Sequence, residues 1–540
     1  MSFYSHTRSL GSAPGTQLNP IQDNSGGFIA GTGDQVVSTV GRFKRGRIDR
    51  SFKIDRTNIN ARLGSPESVR VSALNEAQVQ LYEAVNNGAV SAVVSRLVPA
   101  AAKSSFGVVK IDKTTGATSF AAADTAPTDD YLLYVTDFEC FNDGLKLSIN
   151  APKVSNAGVA TDTKVITLRV CNPDGTLRYE ATGSLDPTAR DESGNDYFIG
   201  SIMHAVSSAN VDLATSNTAV PATADCYGKN ADGTAKFVTS AVVTLFAEGG
   251  TAYADTDYDA AIDRLENSSL DYGYCISAGA ESVALVSKLA TMNIRANRQF
   301  IVDVPGDFTI AQAIDWVSQL NVDSLYVQFY YAPLRTTDPL NGGRAVIGLG
   351  GYQAGLRCSR NAVKNAFGLA PKQYPIAGAD WPLNRTTVEQ LVYPKEGDLN
   401  DLADAKINPV LYEVYQGGGK YVFTDSLTSA KVEVSLRKLI SVAEMATTLD
   451  NDVVMFSKET RQLPMDVAIS RMDKFLKKRL KNMRSSNWLV ASDDPDLGDN
   501  GFSYLIQPNT DDPYEQYDVV YSCRYNGTAR KITVTQTLSR

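Results

Sequence analysis

Six consecutive pieces of the chain decide the fold: YDAAIDRLEN (258–267), YGYCISAG (272–279), AESVALVSKLATMN (280–293), QFIVDVP (299–305), TIAQAIDWVSQLN (309–321) and SLYVQFYYAPL (324–334). The first, third and fifth have the three- and four-residue apolar spacing of helices, and the others are short β-branched and aromatic runs. Thr309 followed by Gln312 is a capping box, and Ile310, Ala313, Ile314, Val317 and Leu320 share one face. Strands alternating with helices predict βαβ units, hence a parallel sheet with right-handed crossovers.

Upstream, VVSTVGRF reads as a strand, GRIDRSFKI as a second and NEAQVQLYEAVNNG as a helix ending at Asn-Gly. AVSAVVSRLVP (89–99) has few polar breaks, which suits a strand covered on both faces. From about Ala100 to Glu248 the chain is dense in Ala, Thr, Asp, Gly and Ser. Its short β runs (131–138, 145–150, 164–170, 237–247) are punctuated by Asp-Gly turns, which predicts an exposed all-β insertion. Downstream, helices are expected over roughly 432–448 and 464–485. A closing hairpin follows, QYDVVYSCRY, the turn Asn526-Gly527, then RKITVTQTLSR. Residues 1–35, rich in Gly, Ser, Asn, Pro and Gln, read as an extended arm.

The predicted organisation is therefore an arm (1–35), the first part of an α/β domain (36–99), an inserted β-rich outer domain (100–248), further α/β structure (249–400), a C-terminal core (401–515) and a C-terminal hairpin or arm (516–540). In fold class this is an α/β core of parallel βαβ units with an inserted all-β domain and extended N- and C-terminal arms.

At 540 residues, 43% hydrophobic and 21% charged, the chain is neither a disordered nor a disulfide-scaffold protein. Its 52 Lys and Arg against 60 Asp and Glu give a net charge of −8, unlike a general nucleic-acid binder. Only His6 and His204 could supply imidazole, and the six cysteines include no CxxC pair. No signal peptide or apolar run of about 18 residues is present, so a soluble protein maturing in a reducing cytoplasm is expected.

Nucleotide motifs are incomplete. Gly348-Leu349-Gly350-Gly351-Tyr352-Gln353 breaks GxGxxG at its sixth position, and Gly417-Gly418-Gly419-Lys420 is followed by Tyr421 where a P-loop needs Ser or Thr. The basic run Arg42, Lys44, Arg45, Arg47, Arg50, Lys53, Arg56 reads as a solvated strand edge or a charged subunit contact. On the helix expected at 464–485, Ala468, Met472, Phe475, Leu476, Leu480 and Met483 form an apolar stripe. Arg471, Lys474, Lys477, Lys478, Lys481 and Arg484 gather on the other side, which suits an acidic partner surface. Arg479 projects toward the apolar side and needs a partner that the sequence does not name. In the last strand Ile532, Val534 and Leu538 alternate with threonines, so one face wants burial, within the chain or against a neighbouring copy.

Several stretches together resemble the sheath proteins of contractile tails, found in myovirus phages, R-type pyocins and contractile injection systems. They are VVSTVGRFKRGRIDRSFKI followed by NINARLGSP, VNNGAVSAVVSRL, FAEGGTAYADTDYDAAIDRLEN, YYAPLRTTDPLNGGRAVIGLGGYQAGLRCSRNAVKNAFGLAP and DAKINPVLYEVYQGGGKYVFTDSLTSA. The chain departs from that family in lacking its PGVYxxE opening. Asn341-Gly342-Gly343 stands at its PPSG, Gln353 falls in its VAG element, and Thr424-Asp425-Ser426 replaces its ARTL core.

The resemblance implies a structural subunit, not an enzyme, stacked in sixfold rings around an inner tube in a metastable extended state that contracts. Implied partners are further copies of the chain, the inner tail tube protein, and baseplate and tail terminator proteins. Cofactor, metal, nucleic acid and membrane insertion are not implied. The location is the virion tail, assembled in the host cytoplasm. By the same resemblance Arg471, Lys474, Lys477, Lys478, Lys481 and Arg484 face the tube, while Cys523, Tyr525, Ile532, Val534 and Leu538 take part in strand exchange between subunits. Oxidation at Cys523 after lysis could then link neighbours. The residues alone leave open another self-assembling capsid or surface-layer protein, or an enzyme on a Rossmann-like domain.

Overall fold

The computed structural model describes residues 32–112, 118–150, 163–218, 237–239 and 242–537. The expected arm 1–35 lies outside them apart from 32–35, and Leu538 lies outside them at the other end. The chain divides into two compact units. One comprises Gln35–Ser359 and Ile376–Ile440, the other Met1–Asp34, Arg360–Pro375 and Ser441–Arg540.

Ten α-helices occur among the described residues: α1 (Ile59–Leu63), α2 (Glu76–Asn86), α3 (Ile199–Val206), α4 (Asp255–Glu266), α5 (Val283–Arg295), α6 (Ile310–Leu320), α7 (Gly350–Ala362), α8 (Glu396–Asp404), α9 (Ile440–Thr460) and α10 (Met465–Ser485). The larger unit is built on an eight-stranded sheet. Its order is Phe52–Ile54, Ser91–Arg96, Val36–Gly41, Tyr274–Ile276, Gln299–Val304, Val327–Tyr331, Ile407–Tyr415, Gly418–Phe423. The six inner strands run parallel, and only the two edge strands are antiparallel to their neighbours.

Val37, Ile276, Ile301 and Tyr330 pack against α2 and α7 on one face. Val36, Cys275, Phe300, Val302 and Phe329 pack against α4, α5, α6 and α8 on the other. Double coverage explains why Ser91–Arg96 is buried at every position. The capping box forms as expected, with Thr309 accepting from Gln312 N–H. The buried face of α6 also includes Trp316, whose Nε1 donates to the Glu281 carbonyl at 3.0 Å.

Between residues 103 and 247 lie two four-stranded antiparallel sheets. One has the order Leu177–Ser184, Val165–Cys171, Lys146–Asn150, Val238–Thr239; the other Val211–Thr215, Leu133–Asp137, Phe106–Ile111, Thr118–Ala123. They enclose their own core around Val135, Leu147, Ile166 and Leu168. The insertion is not purely β, because α3 closes that core with Ile199 and Met203. Lys103–Ser104 pairs with Phe246–Ala247 where the insertion leaves and rejoins the unit.

The basic run at 42–56 does not form a solvated strand edge along its length. Arg42, Arg45 and Arg47 are buried and point inward. Arg45 meets Asp143 at 2.8 Å and lies 3.9 Å over the Phe141 ring, and Arg42 meets Glu248 at 2.8 Å. Arg96, fully buried, donates to the carbonyls of Gly46 (3.1 Å), Cys140 (2.7 Å) and Lys44 (3.2 Å). Burial lowers its pKa to about 10. These cations weld the insertion to the sheet. Arginine suits the task because its planar fork satisfies several acceptors at once.

In the smaller unit α9 runs Ile440–Thr460, not the expected 432–448. Residues 436–438 instead form a 3-10 turn capped by Ser435. At the far end, Asp450-Asn451-Asp452 reads locally as a stop, yet tertiary partners carry the helix through it. Arg479 binds Asp452, and the Tyr521 hydroxyl donates to Asp450. Glu444, Thr448 and Asp452 form a buried polar ridge along α9, engaged by Arg360 (2.8 Å), Lys372 (2.6 Å) and Arg479.

Candidate functional site

Two features of the smaller unit carry the residues singled out from the sequence. The first is α10. Ala468, Met472, Leu476, Leu480 and Met483 are buried, and Phe475 stacks on Phe456 with ring centroids 4.1 Å apart and planes 7° from parallel. The apolar stripe read from the sequence therefore faces inward. The opposite side presents Arg471, Lys474, Lys477, Lys478 and Lys481, all exposed. None of these five forms an ion pair among the described residues. Arg484 sits differently. It is half-buried, and its guanidinium donates to the carbonyls of Asp499 (3.2 Å) and Leu489 (3.1 Å), where it closes the chain after the helix.

The unnamed partner of Arg479 is Asp452, 27 residues away on α9. Burial lifts the Asp452 carboxyl to about 6, with the Arg479 charge opposing the rise.

The second feature is the terminal β-structure. The strand Tyr517–Cys523 pairs antiparallel with Phe502–Pro508, not with residues after Asn526. Among the described residues the expected Asn526-Gly527 hairpin does not form. Asn526 N–H instead donates to the Trp488 carbonyl (2.9 Å), and Tyr525 bridges Leu489, which fixes the chain at the point where it would have to turn. Tyr504, Tyr517 and Tyr521 face the helices, with hydroxyls bonded to Asp473 (3.0 Å), Thr460 (2.8 Å) and Asp450. Leu505 and Val520 oppose each other on the outer face at 53% and 59% exposure. This ribbon has only two strands, so both outer edges are open to further pairing among the described residues.

Ile532 and Val534 lie outside any strand among the described residues, 82% and 87% exposed. Cys523 is half-buried, and burial pushes its thiol up to about 12, which disfavours the thiolate that disulfide exchange requires. Burial also raises the Tyr525 hydroxyl well above its ordinary value.

The glycine cluster at 348–351, which breaks GxGxxG in the sequence, opens the helix α7. The helix N-terminus is filled by the chain's own side chains. Asp303 Oδ1 accepts from Leu349 and Gly350 N–H, both at 2.9 Å, Gln80 Oε1 from Gly351 N–H at 2.9 Å, and Glu76 Oε1 from Gly348 N–H at 2.7 Å. Gln80 Nε2 ties the two carboxyl groups together, at 2.6 Å to Glu76 and 2.8 Å to Asp303. A phosphate would need these same amide donors. Sequence motifs could not reveal the arrangement, because Asp303 is 223 residues from Gln80.

Among the described residues no cluster of three or more potential metal ligands is found, and no helix is long and apolar enough to cross a membrane.

A doubly covered parallel sheet, an antiparallel insertion and a unit with a basic helix and open ribbon define the class: an α/β protein with added antiparallel sheets. No family model and no curated protein matches the sequence. Among solved structures, the fold is similar to that of a sheath tail protein from Listeria innocua, with a TM-score of 0.53 and 9% identity over 91% of this chain and 95% of that one. A sheath tail protein from Desulfitobacterium hafniense aligns with a TM-score of 0.48 and 12% identity, over 91% and 96%. The sheath of an extracellular contractile injection system, PVC, solved in its contracted state, aligns with a TM-score of 0.42 and 13% identity, over 52% and 75%. At such identities the likeness is one of fold, and the chain has the fold of a sheath tail protein.

Proposed function

We propose that the chain is a structural subunit of a contractile tail sheath. Copies would stack as sixfold rings around an inner tube, between baseplate and terminator proteins, and contract to drive the tube forward. Assembly would take place in the host cytoplasm and the product would sit in the virion tail. The observation that carries the reading, beside the fold, is the α10 ridge. It places five exposed cations within eleven residues on a chain of net charge −8.

An acidic tube surface is the partner such a ridge fits. Each exposed ion pair is worth roughly 0–1 kcal/mol and is screened beyond about 8–10 Å at physiological salt. Grip then comes from repetition over many subunits, and no single contact is strong enough to prevent release. Arg484 contributes to this ridge by fixing the end of the helix. The open ribbon edges and the exposed Ile532 and Val534, with Leu538 following in the sequence, support strand exchange between copies. In that arrangement Tyr525 and the strand ending at Cys523 form the base from which the arm departs.

Two variants test the reading in reassembly with tube protein, imaged by electron microscopy. Charge reversal of Lys474, Lys477 and Lys481 to Glu should abolish tube decoration while leaving the fold intact. Truncation after Asn526 should abolish striated tubes. Undiminished decoration by the first variant would rule out the tube contact, and shells or flat lattices from the full chain would rule out the sheath.

A further inference from the structure

The inward turn of Arg42, Arg45 and Arg47 leaves the rest of the basic run unexplained. Arg50 and Lys53 are exposed on the rim of a hollow of about 710 Å³ in the larger unit, with α4 and the residues after it on the other side. Within the hollow Arg47 is taken up by Asp49 at 2.6 Å, and Arg62 by Glu139 at 2.7 Å. Arg50, Lys53 and Arg264 remain against the single carboxylate of Asp263. Arg264 donates through Nη2 to the Arg96 carbonyl at 2.8 Å, but its buried Nε–H has no hydrogen-bond partner among the described residues. Asn267, Ser268 and Ser269 add neutral polar groups to the wall. This is a cationic, hydrogen-bonding recess on a chain of net charge −8.

The chain also carries its complement. Asp493, Asp494, Asp496 and Asp499 are all exposed, and none forms an ion pair among the described residues. The loop that bears them is shaped by its own bonds. Asp494 Oδ1 accepts from Asp496 N–H at 3.1 Å, and the Asp494 carbonyl accepts from Gly498 N–H at 2.9 Å. These bonds give the loop backbone a defined turn, so the loop needs less ordering on docking than an unstructured acidic tail would.

We propose that the hollow rimmed by Arg50 and Lys53 receives the Asp493–Asp499 loop of a second copy of this chain. The contact is heterologous, hollow to loop, so it propagates from copy to copy and does not close on a pair. It rests on the sheath reading for the existence of the assembly, and adds a charge-complementary contact between subunits that is separate from the tube-facing ridge and from the strand arm. Being made of partly hydrated ions, it weakens with ionic strength and can re-form in a new geometry, as a sliding lattice requires.

The test is a reciprocal charge exchange in the full chain, read as the concentration needed for sedimentable ordered tubes at low and high salt. One variant carries Arg50→Glu and Lys53→Glu, the other Asp493→Lys and Asp496→Lys. Asp494 is left alone because it shapes the loop. Like charges facing each other should raise that concentration about tenfold or more in each variant. A one-to-one mixture of the two should assemble nearly as the unaltered protein does, since each reversed hollow then meets a reversed loop. Thermal melts establish that each variant is folded.

Unchanged assembly by either folded variant overturns the proposal. So does a mixture no better than its components, the result expected if the contact closes within one chain or if the hollow takes a different anion. Failure of the unaltered protein to form ordered tubes would instead overturn the sheath reading, so the two failures are told apart.

Discussion

Replacing Glu76 by glutamine should stabilise the larger unit at neutral pH, by an amount that grows as pH rises. Glu76 is 9% exposed and shares the α7 cradle with Asp303, which is 7% exposed. Burial, and then the Asp303 charge, lift its carboxyl from an ordinary 4.5 to about 8. Between those two values the folded chain holds a proton that the unfolded chain has released, so stability is lost as pH climbs through that window. At about 1.36 kcal/mol per pH unit, the loss by pH 7 is roughly 3 kcal/mol at most. It falls to under about 1 kcal/mol at pH 5.

Glutamine removes the titration. Its Oε1 can still accept from Gly348 N–H and Gln80 Nε2, the two donors that Glu76 now serves at 2.7 and 2.6 Å. Urea denaturation followed by circular dichroism at pH 5, 7 and 8.5 should show a gain of roughly 2–3 kcal/mol at pH 7, little at pH 5, and more at pH 8.5. A variant less stable than the parent at pH 7, or a difference that does not vary with pH, would refute the reasoning. Either result would mean that the cradle holds Glu76 ionised.

Two other substitutions probe the core contacts. Arg479→Met leaves Asp452 buried without its counter-charge and should cost about 3 kcal/mol at pH 7. Because burial already raises Asp452 to about 6, removing the arginine raises it further. The deficit should therefore grow with pH and shrink below about pH 5, where protonated Asp452 needs no partner; a pH-independent deficit in urea melts would contradict the pairing. Gly351→Ala would set a methyl group 2.1 Å from the Gln80 carbonyl oxygen, where α2 and α7 approach backbone to backbone. That overpacking should cost about 3 kcal/mol or more, and an unchanged melting curve would mean that the helices can part at no cost.

The strand and helix alternation over 258–334 was legible in the sequence because both signals are local. Period-two and period-3.6 patterns record which side of each element is buried, whatever the partner. The same holds for the all-buried strand at Ser91–Arg96 and for the division of α10 into an apolar stripe and a cationic ridge. Composition likewise marked residues 100–248 as β-rich, and two antiparallel sheets lie between 103 and 247.

What the sequence alone could not decide were the contacts made by polar groups far apart along the chain. Asp450 and Asp452 look like a helix stop until Tyr521 and Arg479 arrive to satisfy them, so α9 extends twelve residues beyond its expected end at 448. Arg45 resembles Arg50 in sequence, but Asp143, 98 positions away, draws one inward and leaves the other on the rim of a hollow. Gly348–Gly351 looks like a failed phosphate loop until Asp303 and Gln80 occupy its amides. Asn526-Gly527 is a strong hairpin signal, overridden because Tyr525 bridges Leu489 and Asn526 N–H is held by the Trp488 carbonyl. Apolar burial follows a rhythm each segment carries within itself. A buried charge is stable only beside a counter-charge or donor, and only the tertiary fold brings those together.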